Sequence, residues 1–95
     1  MDIQQRLTYL TREEIKDISS SNLRGVAALW EGNMVKLSFY FDGEITASDR
    51  EAASDACTYI IAHFSDALME ENYIRLDCPT PLPTEFLVYV RDEKK

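Results

Sequence analysis

The sequence predicts an α+β fold: a mostly antiparallel four-stranded sheet with helices packed on one face, in the order helix, strand, strand, helix, strand, strand. Three features carry that expectation. Val35, Leu37, Phe39 and Phe41 recur at every second position, with Lys36, Ser38 and Tyr40 between them, the period of a strand with one buried face. Beyond the Asp42-Gly43 break the period changes, and Ala53, Ala56, Cys57, Ile60 and Phe64 form one stripe at helical spacing. Gly32-Asn33 separates two strand-like runs and suits a tight hairpin. A chain of 95 residues that is 45% hydrophobic has material for one domain, spanning 1–95, with a single core.

Residues 2–18 read as helix. Ile3, Leu7 and Leu10 share a face, and Ile15 and Ile18 continue the stripe. Thr11 and Glu14 have the spacing of a capping box, so the segment is one helix or two short ones divided near Thr11. Ser19-Ser20-Ser21-Asn22 is a polar stop. Residues 23–31 form the first strand. A two-residue turn at Gly32-Asn33 sets Trp30 opposite Val35, Ala28 opposite Leu37 and Val26 opposite Phe39. A longer Glu31-Gly32-Asn33 loop would flip the faces and bury Leu29, Ala27 and Gly25. Burial of Val26 and Trp30 favours the first register.

At the second helix, Ser48 and Glu51 have capping-box spacing, with Thr46 as a second N-cap candidate. Acids in the first turn complement the helix dipole, which alone accounts for Asp49 and Glu51 there. Residues 65–71 read as a polar, acidic link. The third strand is expected over 72–77, with Ile74 and Leu76 inward and Tyr73, Arg75 and Asp77 outward. All three prolines fall in 78–84, which excludes helix and internal strand and predicts a stiff spacer. Residues 85–91 form the fourth strand, with Phe86, Val88 and Val90 on one face, and 92–95 are a charged tail. The face without helices is expected to carry Tyr40, Tyr73, Leu87 and Tyr89 among Lys36, Arg75 and Arg91.

Net charge is -7, from 17 acidic against 10 basic residues. That sign argues against direct nucleic-acid binding, which needs Lys and Arg to displace counterions, and fits a basic partner. No leader and no run long enough for a membrane span is visible, so a cytoplasmic setting with free thiols is expected and no membrane partner. Cys57 lies on the helical stripe as a small hydrophobe. His63, near the end of that helix, and the two cysteines make no metal-ligand spacing. No nucleophile motif and no glycine-rich phosphate loop is present. A carboxylate pair such as Asp42 with Glu44 or Asp77 would need a pocket that one sheet and one helical layer hardly offer. The expectation is a non-enzyme without a cofactor. Its candidate partner-binding residues are Asp42, Glu44, Asp49 and Glu51 at the strand-to-helix corner, with Tyr40 as an aromatic anchor. Glu70, Glu71 and Asp77 form a second candidate patch.

The runs Leu23-Arg24-Gly25-Val26, Phe39-Tyr40-Phe41-Asp42-Gly43-Glu44-Ile45 and Ile74-Arg75-Leu76-Asp77, with Pro79, Pro81, Leu82 and Pro83, resemble a family of small acidic bacterial proteins. That family includes immunity proteins of contact-dependent growth inhibition. The resemblance covers about residues 23–91 and supplies no catalytic motif. It implies a cytoplasmic protein that binds the toxic C-terminal domain of a delivered effector, a nuclease being the favoured class, and blocks it. Cys78 departs from the pattern, standing where an aromatic is expected between Asp and Pro. The alternative from the residues themselves is a self-associating or regulatory module that uses the tyrosine-bearing sheet face, with homo-oligomerisation left open.

Overall fold

In the computed structural model, which describes residues 2–16, 18 and 21–91, periodicity resolves into α1 (Ile3–Ile15), β1 (Leu23–Glu31), β2 (Met34–Phe41), α2 (Ala47–Ile61), β3 (Leu68–Arg75) and β4 (Leu87–Val90). The Ser19-Ser20 part of the polar stop and the 92–95 tail lie outside the described residues.

The first segment is one helix. Asp2 is its N-cap, accepting from the Gln5 N–H at 2.8 Å while the Gln5 side chain accepts from the Asp2 N–H. Thr11 is not a cap. It lies within the buried stripe Leu7-Thr11-Ile15, and its hydroxyl donates to the Leu7 carbonyl at 2.7 Å, which lets a polar residue sit on the core side. The second helix starts at Thr46, whose hydroxyl accepts from the Asp49 N–H at 3.0 Å while the Asp49 carboxylate accepts from the Thr46 N–H. Ser48 and Glu51 therefore do not form the box. Ala53, Ala56, Cys57 and Ile60 are buried beneath α2.

The hairpin has the register that buries Val26: Val26 pairs with Phe39, Ala28 with Leu37 and Trp30 with Val35. Gly32, at φ +64, supplies the left-handed residue that this two-residue turn needs. Val26, Val35, Leu37 and Phe39 are fully buried against the helices, each contributing about 1.5–3 kcal/mol of apolar burial.

The sheet is mixed rather than mostly antiparallel, and its spatial order is β3-β2-β1-β4. β1 pairs antiparallel with both β2 and β4, but β3 runs parallel to β2, from Met34 opposite Leu68 to Phe41 opposite Arg75. The cause is α2. It carries the chain back from the Phe41 end of β2 to the Met34 end, where the Leu68 N–H bonds the Asn33 carbonyl at 2.8 Å. A strand starting there and lying beside β2 must run with it. Much of the expected 65–71 link is thus strand.

β3 also faces the other way from its expected orientation. Tyr73 turns toward the helices, where its ring stacks on Phe39 at 5.7 Å and the Arg50 guanidinium lies 5.2 Å over it. Ile74 points to the helix-free face and is 37% exposed. A bulge breaks β4: Tyr89 pairs with Val26 and Leu87 with Ala27, leaving Val88 unpaired between them and buried in the core. Phe86, Val88 and Val90 therefore do not share a face, and Tyr89 packs against the core instead of lying on the helix-free side.

Candidate partner-binding surface

The strand-to-helix corner is held by internal bonds. Asp42 accepts from the Cys78 N–H at 3.2 Å and from Arg91 at 3.4 Å. Asp77 accepts from the Gly43 N–H at 2.7 Å and takes the Arg75 guanidinium on both oxygens at 3.1 Å. Arg24, 2% exposed, donates to the Leu76 carbonyl, and Arg91 also donates to the Ser21 carbonyl at 2.6 Å. The Cys78 N–H, with Arg91 behind it, lowers the Asp42 pKa, and Arg75 with the Gly43 N–H lowers that of Asp77. These carboxylates tie the β2–α2 turn to the segment after β3. Asp49, 7% exposed, is occupied as half of the α2 cap.

Glu44 and Glu51 are exposed near this corner. Glu70 and Glu71 do not form one patch with Asp77. Successive strand residues alternate faces, so Glu70 points to the helix-free side with Asn72, while Glu71 lies on the helix side and accepts from the Tyr73 hydroxyl. Asp77 lies beyond the opposite end of β3, beside Gly43. Burial, then the Glu71 carboxylate, raises the Tyr73 pKa.

β3 and β4 lie on opposite edges, so the proline-bearing connection has to cross the sheet, and it does so on the helix-free face. Gly25 marks the crossing. A Cβ there would lie 3.1 Å from the Tyr89 carbonyl and 3.2 Å from Leu82. The connection leaves a groove of about 440 Å³ floored by Ala27, Leu29, Lys36, Ser38 and Tyr40, bounded by Glu70 and Asn72 of β3 and by residues 83–86. Tyr40 is only 9% exposed, a floor residue and not a projecting anchor. The aromatic that projects is Phe86, 47% exposed. The sequence gives no sign of it, because the bulge that turns Phe86 away from Val88 leaves the alternation intact.

Among the described residues, the basic side chains are engaged within the fold. Arg6 lies over Phe64, Arg12 donates to the Val88 carbonyl, Lys16 pairs with Glu13, Lys36 with Glu31, and Arg50 covers Tyr73. Arg24, Arg75 and Arg91 are taken up at the corner. Glu44, Glu51, Asp55 and Glu85 are exposed and enter no ion pair with a described residue. The charge that the described residues show to a partner is therefore acidic. Among the described residues no cluster of His, Cys, Asp or Glu could hold a metal ion, and no helix is long and apolar enough to cross a membrane.

A family model described as "MafI2 immunity protein" matches residues 12–93. The match supports the immunity side of the resemblance. Maf systems are related polymorphic toxin systems, and contact-dependent growth inhibition in particular is not specified by it. No curated protein matches the chain. Among solved structures, the C-terminal domain of the magnetosome protein MamB from Desulfamplus magnetovallimortis BW-1 is similar at a TM-score of 0.45 and 16% identity, over 82% of this chain and 99% of that one.

Proposed function

Because the chain belongs to the MafI2 immunity protein family, we propose that it binds the toxic C-terminal domain of a delivered effector in the cytoplasm and neutralises it by covering its surface. A nuclease is the target class we favour, since a surface that holds a phosphate backbone is basic and fits an acidic inhibitor. Delivery by contact-dependent inhibition belongs to the same proposal. The observation that carries the reading is the family match across residues 12–93. The acidic outward charge supports it. Exposed Glu44, Glu51, Glu70 and Glu71 are among the carboxylates available to a toxin, as is Glu85, and Tyr40 lies on the groove floor. Asp42, Asp49 and Asp77 act chiefly inside the fold.

The test is growth. The C-terminal portion of the product encoded immediately upstream is expressed in sensitive cells with and without this chain. Arrest relieved by this chain alone is the expected result. Killing that persists while the chain is present and soluble would remove immunity to that toxin. A second reading, a self-associating module, is favoured by the outer edge of β3, which pairs with no described strand. A dimer that survives high salt in native mass measurement would support it.

A further inference from the structure

The groove on the helix-free face carries a residue in left-handed backbone on its lip. Phe86 sits at φ +57, a left-handed backbone that bulky side chains resist, with its carbonyl pinned by the Ala28 N–H at 3.0 Å. In return its ring is directed onto the groove lip, where nearly half of it stays in water. An aromatic half exposed on strained backbone is an outlier of the kind that concentrates where a ligand is gripped. The groove's charges point the same way. Its basic residue, Lys36, is engaged by Glu31 at 2.7 Å, while Glu70 and Glu85 bring carboxylates to the β3 side and the loop side.

We propose that this groove is the toxin's seat. An extended toxin segment lays an apolar side chain against Phe86 and Leu29, and a neighbouring lysine or arginine meets Glu70 and Glu85. The assignment rests on the immunity reading above and deepens it by naming the surface and the chemistry it takes. A volume of about 440 Å³ admits a few side chains and not a whole helix, and no described strand lies beyond β3 to close the groove on that side. A second copy of this chain fits poorly, because two surfaces of a chain with net charge -7 repel.

The test measures binding of the upstream-encoded toxin domain to the full chain and to Phe86→Gly, Glu85→Lys and Asp55→Lys. The last places the same charge change on an exposed position of α2. Glycine accepts the left-handed conformation, so Phe86→Gly removes the ring without disturbing the backbone. Thermal melts confirm that each variant is folded. Phe86→Gly is expected to weaken binding about 30-fold and Glu85→Lys about 10-fold. Asp55→Lys should change it by less than about 3-fold, the general effect of net charge. Amide exchange in the complex should protect residues 68–75 and 83–87. If wild type binds and the groove variants match Asp55→Lys, or protection falls on the helices alone, the seat is elsewhere and the immunity reading survives. If wild type neither binds nor protects, both fail.

Discussion

Cys57 and Cys78 carry the same thiol into opposite surroundings. Cys57 is 1% exposed beneath α2, and burial, helped by the nearby Glu71 charge, pushes its pKa up to about 12. Cys78 is exposed and within 3.4 Å of the Arg91 guanidinium. A maleimide should therefore label Cys78 in the native protein and reach Cys57 only on unfolding, as a mass-resolved time course would show. Phe86 sets strain against burial in a single residue. Relief of left-handed strain, about 1–2 kcal/mol, should offset the lost contacts of a half-exposed ring, so Phe86→Gly should leave urea stability within about 1 kcal/mol of wild type. Asp66, at φ +67, is a milder case, since a short polar side chain tolerates this region.

At the scale of elements, the sheet edge is completed by a helix. β4 pairs with β1 only as far as Ala27, with one further bond from Ala28 to Phe86. Below that, the Gln4 amide of α1 takes over, donating to the Ala28 carbonyl at 3.0 Å and accepting from the Trp30 N–H at 2.8 Å. Gln4→Ala should cost about 1–3 kcal/mol in urea melts, because it strands partly buried backbone groups that no neighbouring strand pairs. The crossing of the proline-bearing connection makes a matching demand on β1. An alanine at Gly25 would press on the Tyr89 carbonyl, which is backbone and cannot swing aside as Leu82 can. Gly25→Ala should lower stability by about 1–3 kcal/mol, and truncating Leu82 as well should not restore it.

Across the whole molecule, the corner network makes the fold acid-sensitive. Asp42 and Asp77 have pKa values below their ordinary 3.8 in the folded chain, so the unfolded chain binds protons more readily. Their stabilisation is complete above the unfolded value and is lost as pH falls through the folded values. Wild type should therefore lose stability below about pH 4, and Asp42→Asn with Asp77→Asn should flatten that part of the profile in denaturant melts taken across pH. The same network explains why the acids most conspicuous in the sequence are poor probes of partner binding. Reversing Asp42 would break the corner before it reported on any toxin.

Hairpin register and helical stripes are legible because they depend on local periods. The turn at Gly32-Asn33 and the alternation through Phe41 fix which face of β1 and β2 is buried, and a one-residue slip would expose that whole face. Acidity and the immunity resemblance are also legible, since charge and motif need no fold. Of the groove, Tyr40 and Glu70 are legible in the sequence as candidate contacts, whereas Phe86 and Glu85 are not. What remains was decided by packing. Both phases of β3 contain apolar residues, and contacts across the sheet, with Met69 packed on the core and the Tyr73 ring between Phe39 and the Arg50 guanidinium, put Tyr73 rather than Ile74 on the core side. The direction of β3 follows from where α2 returns the chain, and the bulge in β4 is what places Val88 in the core. The sequence by itself determined the elements, the hairpin and the sign of the charge. Tertiary structure alone decided which acids are bound internally and which aromatic projects into water, because both depend on side chains far apart in the chain.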